Sequence, residues 1–161
     1  MKFTVNIWRF TVATFCLAAA CTVAYAQQLP EGAVMFNFAK AKWVRQAEGG
    51  GERATIVGDP TKPGPYLYVV KFPPRSLTGA LPRSHSHPDT RNYTVISGTW
   101  YIGFGEKYDE SKLIALPAGS YYTEPAGKPH FVTTKNEGAV VMFGGTGPTQ
   151  QSSVEPAPAK K

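Results

Sequence analysis

From Ala54 to Gly145 one pattern recurs: a short run rich in Val, Ile, Tyr, Thr, Phe and Trp, then a turn built on Gly or Pro. The runs are ATIV (54–57), PYLYVVKF (65–72), NYTVISGTWYIGFG (92–105), SYYTE (120–124), HFVTT (130–134) and AVVMFGG (139–145). The breaks include GDPTKPGP (58–65), PPRS (73–76) and LPAG (116–119). Runs of that composition are strands, and breaks of that kind are turns. No long stretch carries the 3.6-residue helical period. Gly 16 and Pro 14 are too many for a helical bundle. A hydrophobic share of 42% against 17% charged excludes a disordered chain. The expectation is an all-β antiparallel sandwich or barrel in one domain.

The ends read differently. Residues 1–26 have the form of a secretory signal: Lys2 and Arg9 first, an apolar stretch from Phe10 to Val23, then Ala24-Tyr25-Ala26 as a small-x-small cleavage site. The apolar stretch is short for a membrane span, so no stable span is expected after cleavage. Both cysteines, Cys16 and Cys21, fall inside this segment. The folded part would then have no disulfide, thiolate metal site or cysteine nucleophile. Export to the periplasm or beyond the cell is expected. Residues 148–161 lack apolar periodicity and are expected to be a disordered tail. The domain is expected over 27–147.

The histidines carry the chemistry. His85 and His87 stand one residue apart, and on a strand such residues project from the same face. Two neutral imidazoles so placed suit a divalent first-row transition metal: Fe, Mn, Ni, Cu or Zn. A third ligand must come from a distant segment, where His130 is the one remaining histidine. Short H-x-H patterns also occur as surface or hydrogen-bonded pairs.

Spacing makes the pattern more specific. Gly79, five residues, His85-Ser86-His87, three residues, Arg91, six residues and Gly98 follow the first cupin motif, G-x5-H-x-H-x3or4-E-x6-G, at every position but the glutamate. Gly119, Pro125, Gly127 and His130 follow the second, G-x5-P-x-G-x2-H-x3-N, with Thr134 at the final Asn position. The chain from Gly79 to Thr134 thus resembles the cupin superfamily, in particular small single-domain bacterial cupins. The resemblance implies a cupin-type jelly-roll β-barrel with His85, His87 and His130 around a metal at its mouth.

The resemblance also implies a carboxylate where Arg91 stands, and a guanidinium has no lone pair for a metal. Three readings are open. Three histidines alone hold the metal, as in some cupin dioxygenases; another carboxylate replaces the lost one; or the pocket has lost its metal. Glu124 is the candidate replacement ligand, its alternative being an ion pair with Arg91. Asp89 sits in a turn-like HPDT and is the weaker candidate. Arg91 could instead grip an acidic substrate in a bidentate fork. Tyr122 could offer its hydroxyl to a substrate, while Tyr93, Trp100 and Phe131 are expected to line the barrel. No residue is assigned a catalytic role.

A net charge of +6, or +4 without Lys2 and Arg9, is scattered and forms no basic stripe, so no nucleic-acid partner is expected. The cupin resemblance implies a possible homodimer through N-terminal strands, where Phe36 and Trp43 could serve that contact or simply the core. The resulting expectation is an exported metal-binding cupin acting on a small oxygenated or acidic molecule, as an oxygenase, isomerase or decarboxylase. The alternative is a non-enzymatic ligand-binding or sensing module of the same fold.

Overall fold

The computed structural model describes residues 29–46, 51–75 and 82–154. The expected signal segment, Gly79 of the first motif and the last part of the expected tail lie outside the described residues. The chain divides into two compact units, Met1–Gly32 and Ala33–Lys161. Of the first, the described residues form a turn. The second carries the strands: β1 (Val44–Arg45), β2 (Glu52–Val57), β3 (Gly64–Phe72), β4 (His85–Ser86), β5 (Arg91–Phe104), β6 (Ile114–Pro117), β7 (Tyr121–Glu124), β8 (His130–Thr133), β9 (Ala139–Gly147) and β10 (Ser152–Ser153). A 3-10 turn, Glu110–Lys112, is capped by the Asp109 side chain on the Ser111 N–H. No helix among the described residues is long and apolar enough to cross a membrane.

All pairings are antiparallel, in the order β1-β2-β3-β9-β5-β8-β4-β10, with β6 and β7 also on β5. The fold is all-β as expected, but the hydrogen-bonded sheet is not closed: β1 and β10 end its path. The expected barrel is therefore two sheets joined through one strand. β5 is that strand. Asn92 to Gly98 pair with β9, and Arg91 to Thr94 with β7; Thr99 to Phe104 pair with β6 and β8.

A bulge makes the crossing work. Val95 faces Val141, yet Ser97 faces Val140, so Ile96 is the extra residue. An extra residue reverses which parity points inward. Before it, Arg91, Tyr93 and Val95 are buried; after it, Trp100 and Ile102 are, while Ile96 is exposed. Gly98 sits just beyond, at φ +72, where a Cβ would fall 2.1 Å from the Gly138 carbonyl oxygen. A residue with no Cβ is required there both for the backbone conformation and for the space.

The core between the sheets joins Val70, Tyr93, Val95, Trp100, Ala139, Val141 and Phe143, flanked by Phe72 and Leu116. Phe131, expected to line the barrel, packs on the other face of β8, edge to face with Tyr108 at 5.2 Å and against Gly103. Adjacent strand residues alternate faces, so His130 pointing inward sends Phe131 outward.

The expected tail does not begin at Pro148. Residues 148–154 run along the domain: Thr149 N–H donates to Pro60 O at 2.8 Å, β10 pairs with β4, and Val154 N–H reaches Ser84 O at 3.0 Å. Polar segments without apolar periodicity read as tails. This one is held by backbone pairing, which leaves no hydrophobic signature.

Candidate metal centre

His85 lies on β4 and His130 opens β8, directly opposite it in register. His87 follows β4, with its carbonyl held by Gly127 N–H at 2.7 Å. The second motif's Pro-Ala-Gly turn thus fastens the first motif's histidine loop. All three rings are buried, and their ligand-capable nitrogens lie within 4.8 Å of one another.

Each ring is oriented the same way. Nδ1 of His85 meets Arg83 O at 3.0 Å, that of His87 meets Gln150 O at 3.0 Å, and that of His130 meets Lys128 O at 2.9 Å. A carbonyl only accepts, so these contacts assign the proton to Nδ1 and leave a lone pair on each Nε2. Metal-binding imidazoles are fixed in this manner. Burial lowers the pKa of His85, and burial with the nearby Arg91 charge lowers that of His87 to about 4. Both rings are neutral near pH 7, the form a metal needs.

Glu124 comes from β7. Its Oε2 lies 3.0 Å from His130 Nε2 and 4.0 Å from His87 Nε2. Tyr93 donates to the same oxygen in a short hydrogen bond, and Tyr122 donates to Oε1 at 3.2 Å. Burial opposes ionisation of Glu124, while His130, the Tyr93 hydroxyl and His87 lower its pKa below the usual range, the His130 contribution being one that needs a proton or another cation at its Nε2. One contact in this cluster is incomplete. With its proton on Nδ1, His130 presents a lone pair at Nε2 to a carboxylate oxygen, and that buried nitrogen has no hydrogen-bond partner. Two acceptors facing each other at 3.0 Å call for a cation between or beside them, either a second proton or a metal. The donor set fits a divalent first-row metal: three imidazoles with an adjacent carboxylate.

Arg91 takes a different course from the expected ion pair. It does not pair with Glu124. Its Nε lies 3.4 Å from Asp89 Oδ1, Nη2 donates to Thr149 Oγ1 at 2.8 Å, and Nη1 lies 3.1 Å from His87 Nε2. Asp89, weighed as a ligand, is held by Tyr66, Thr149 and Arg91 and stays outside the histidine cluster. Arg91 is thus charge-compensated within the protein. It also covers one histidine lone pair, which a metal bound at His87 would displace. Tyr122, weighed as a substrate contact, accepts from Trp100 Nε1 at 2.7 Å and donates to Glu124. Its hydroxyl braces the carboxylate, and burial with Glu124's charge drives its pKa well up.

His85, His87 and Glu124 open on a cavity of about 460 Å³, walled by Tyr68, Phe72, Tyr93, Trp100 and Phe143 and reached by Arg53, Arg91 and Gln151. Sequence reasoning missed three contributors. Thr149 and Gln150 lie in the expected tail, and no residue-type signal marks a backbone carbonyl as a histidine's partner. Arg53 lies just before the strand run read from Ala54, and a lone arginine at a strand end carries no chemistry by itself.

No family model and no curated protein matches this sequence. Solved structures do. An RmlC-like cupin from Shewanella frigidimarina matches at TM-score 0.53 and 14% identity, over 69% of this chain and 87% of that one. The polyketide cyclase RemF from Streptomyces resistomycificus matches at 0.59 and 15%, over 76% and 86%. HppE in its FeII form matches at 0.53 and 17%, over 73% and 62%. At such identities the likeness is one of architecture, and the chain has the cupin fold.

Proposed function

We propose that this is an exported cupin-fold metalloprotein that holds a divalent first-row transition metal on His85, His87 and His130 and acts on a small oxygenated or acidic molecule. The observation that carries the reading is the convergence of three buried Nε2 lone pairs, each ring locked by an Nδ1 contact to a backbone carbonyl. Glu124 is the carboxylate beside them, standing in for the motif glutamate from the neighbouring strand. The FeII form of HppE, a structural neighbour, supports a first-row metal in such a fold.

A metal at this site would supply Lewis acidity toward an oxygen ligand, or oxygen chemistry if redox-active. The chain's own residues do the rest. The three backbone carbonyls hold the imidazoles aimed, and burial keeps His85 and His87 neutral. Tyr93 and Tyr122 hold Glu124 ionised, so that it can take a proton from a ligand at Oε2. The aromatic wall gives the cavity an apolar side. An oxygenase, isomerase or decarboxylase would use these parts in the same way. A second reading, a metal-free binding or sensing module, is favoured by one observation: Arg91 Nη1 already covers His87 Nε2.

Metal content of the untagged chain, beside a His85→Ala/His87→Ala variant, tests the choice. Near-stoichiometric Fe, Mn, Ni, Cu or Zn that disappears in the variant upholds the metal site. No metal in either protein after reconstitution overturns it and leaves the binding module.

A further inference from the structure

We propose that Arg53 forms an anion subsite in the same cavity and that the ligand taken there is a planar aromatic carboxylate, its acid group on Arg53 and its ring against the aromatic wall. The proposal rests on the reading that the cavity around the histidines is the working site.

Register places Arg53 on the cavity side. It stands opposite Val70, which also lines the cavity, so the two side chains leave the same face. Tyr68, two residues along β3 from Val70, shares that face, and the Arg53 guanidinium carbon lies 5.5 Å from its ring centroid. The Tyr68 ring stacks on Phe143 at 5.0 Å and 12°. Phe143 meets Tyr93 edge-on at 4.7 Å, and Tyr93 donates to Glu124. An unbroken aromatic wall therefore runs from Arg53 to the carboxylate beside His130. It crosses three strand spacings, β2 to β3 to β9 to β5, or roughly 14 Å before the side chains reach inward. That span suits a ring with an acid at one end and an oxygen at the other. It is long for a two- or three-atom acid.

Charge singles out Arg53. Among the lining residues Arg91 is matched by Asp89, and Glu124 faces His130. Arg53 has no carboxylate within ion-pair distance among the described residues; its contact is the Tyr68 ring. A guanidinium so placed offers two parallel N–H groups, the complement of a carboxylate. The Tyr68 ring 5.5 Å from it adds an aromatic face beside the fork and favours an aromatic neighbour.

The test is calorimetric titration of the full chain with 4-hydroxybenzoate, 4-hydroxybenzamide and cyclohexanecarboxylate. The benzoate is expected to bind about tenfold or more tightly than the amide, the margin of a charge-assisted hydrogen bond over a neutral one. It should also outbind the non-planar acid. Arg53→Gln should erase the acid-over-amide preference, and Arg53→Lys should retain only part of it. Equal binding of acid and amide by the unaltered protein overturns the proposal without recourse to any variant. So does a preference that survives in Arg53→Gln. Metal content is measured on the same samples. An Arg53-dependent preference in protein that stays metal-free after reconstitution upholds the subsite and overturns the metal reading alone. A loaded histidine site with no acid preference overturns the subsite alone.

Discussion

Arg91 and Glu124 are direct cross-strand partners on β5 and β7, both at least nine-tenths buried, yet they turn away from each other. Arg91 goes to Asp89 and Thr149; Glu124 goes to His130 and the two tyrosines. The carboxylate missing from the first motif is therefore present one strand over, delivered by the second. Its place in the first motif is held by a cation with its own counter-charge.

Restoring the motif residue should accordingly harm this protein. Arg91→Glu would set a carboxylate opposite Glu124 and leave Asp89 without its cation. The expected loss is about 3 kcal/mol or more, the scale of breaking a buried pair. Urea denaturation of the metal-free protein measures it. Unchanged stability would mean that the Asp89–Arg91 pair does not hold this corner.

Acid should destabilise the metal-free fold in a defined window. The pKa of His87 falls from an ordinary 6.5 to about 4, and that of His85 falls as well. The unfolded chain then binds more protons than the native one between those values, so stability rises with pH there. The stabilisation is complete above about pH 6.5 and is lost toward pH 4. Glu124, with its pKa lowered, adds loss in the same direction below its ordinary 4.5. Thermal melts across this range check the sign. A midpoint that rises on acidification would contradict it.

Removing residues 148–161 should weaken the site more than the fold. His87 would lose its Nδ1 partner, Gln150 O, and Arg91 would lose Thr149. The aromatic core contains none of the removed residues. Losing the group that orients a metal-binding histidine costs roughly ten- to a hundredfold in affinity. Competition titration with Zn²⁺ reads this, and a chain ending at Val154 serves as the control and should bind as the full chain does.

Gly98→Ala should cost more than a surface change. The new methyl would need φ near +72 and would lie 2.1 Å from the Gly138 oxygen, at the point where β5 passes between sheets. A loss of about 2 kcal/mol or more is expected from strain and overlap together. Denaturant unfolding measures it, and a neutral result would show that the β5–β9 corner can shift freely.

Much of the strand content was legible because β-type composition and Gly/Pro breaks are local signals. The runs at 54–57, 65–72, 92–105, 120–124, 130–134 and 139–145 correspond to β2, β3, β5, β7, β8 and β9 within a few residues at their ends. The two-residue strands β1, β4 and β10 and the short β6 were not read. Such strands are defined by the partners they meet rather than by their own residues. Spacing of His85, His87 and His130 also named the residues that converge, through resemblance to a known arrangement.

What the sequence by itself determined is therefore the fold class and the histidine set, since both are written in local composition and fixed spacing. Only the tertiary structure decided the charge pattern of the pocket. Whether Arg91 pairs with Glu124 or Asp89, whether residues 149–153 hang free or hold His87, and whether Arg53 faces the cavity all depend on strand register and a bulge at Ile96. A single-residue slip would reverse every one of those side chains, and register is set by packing between segments far apart in the chain.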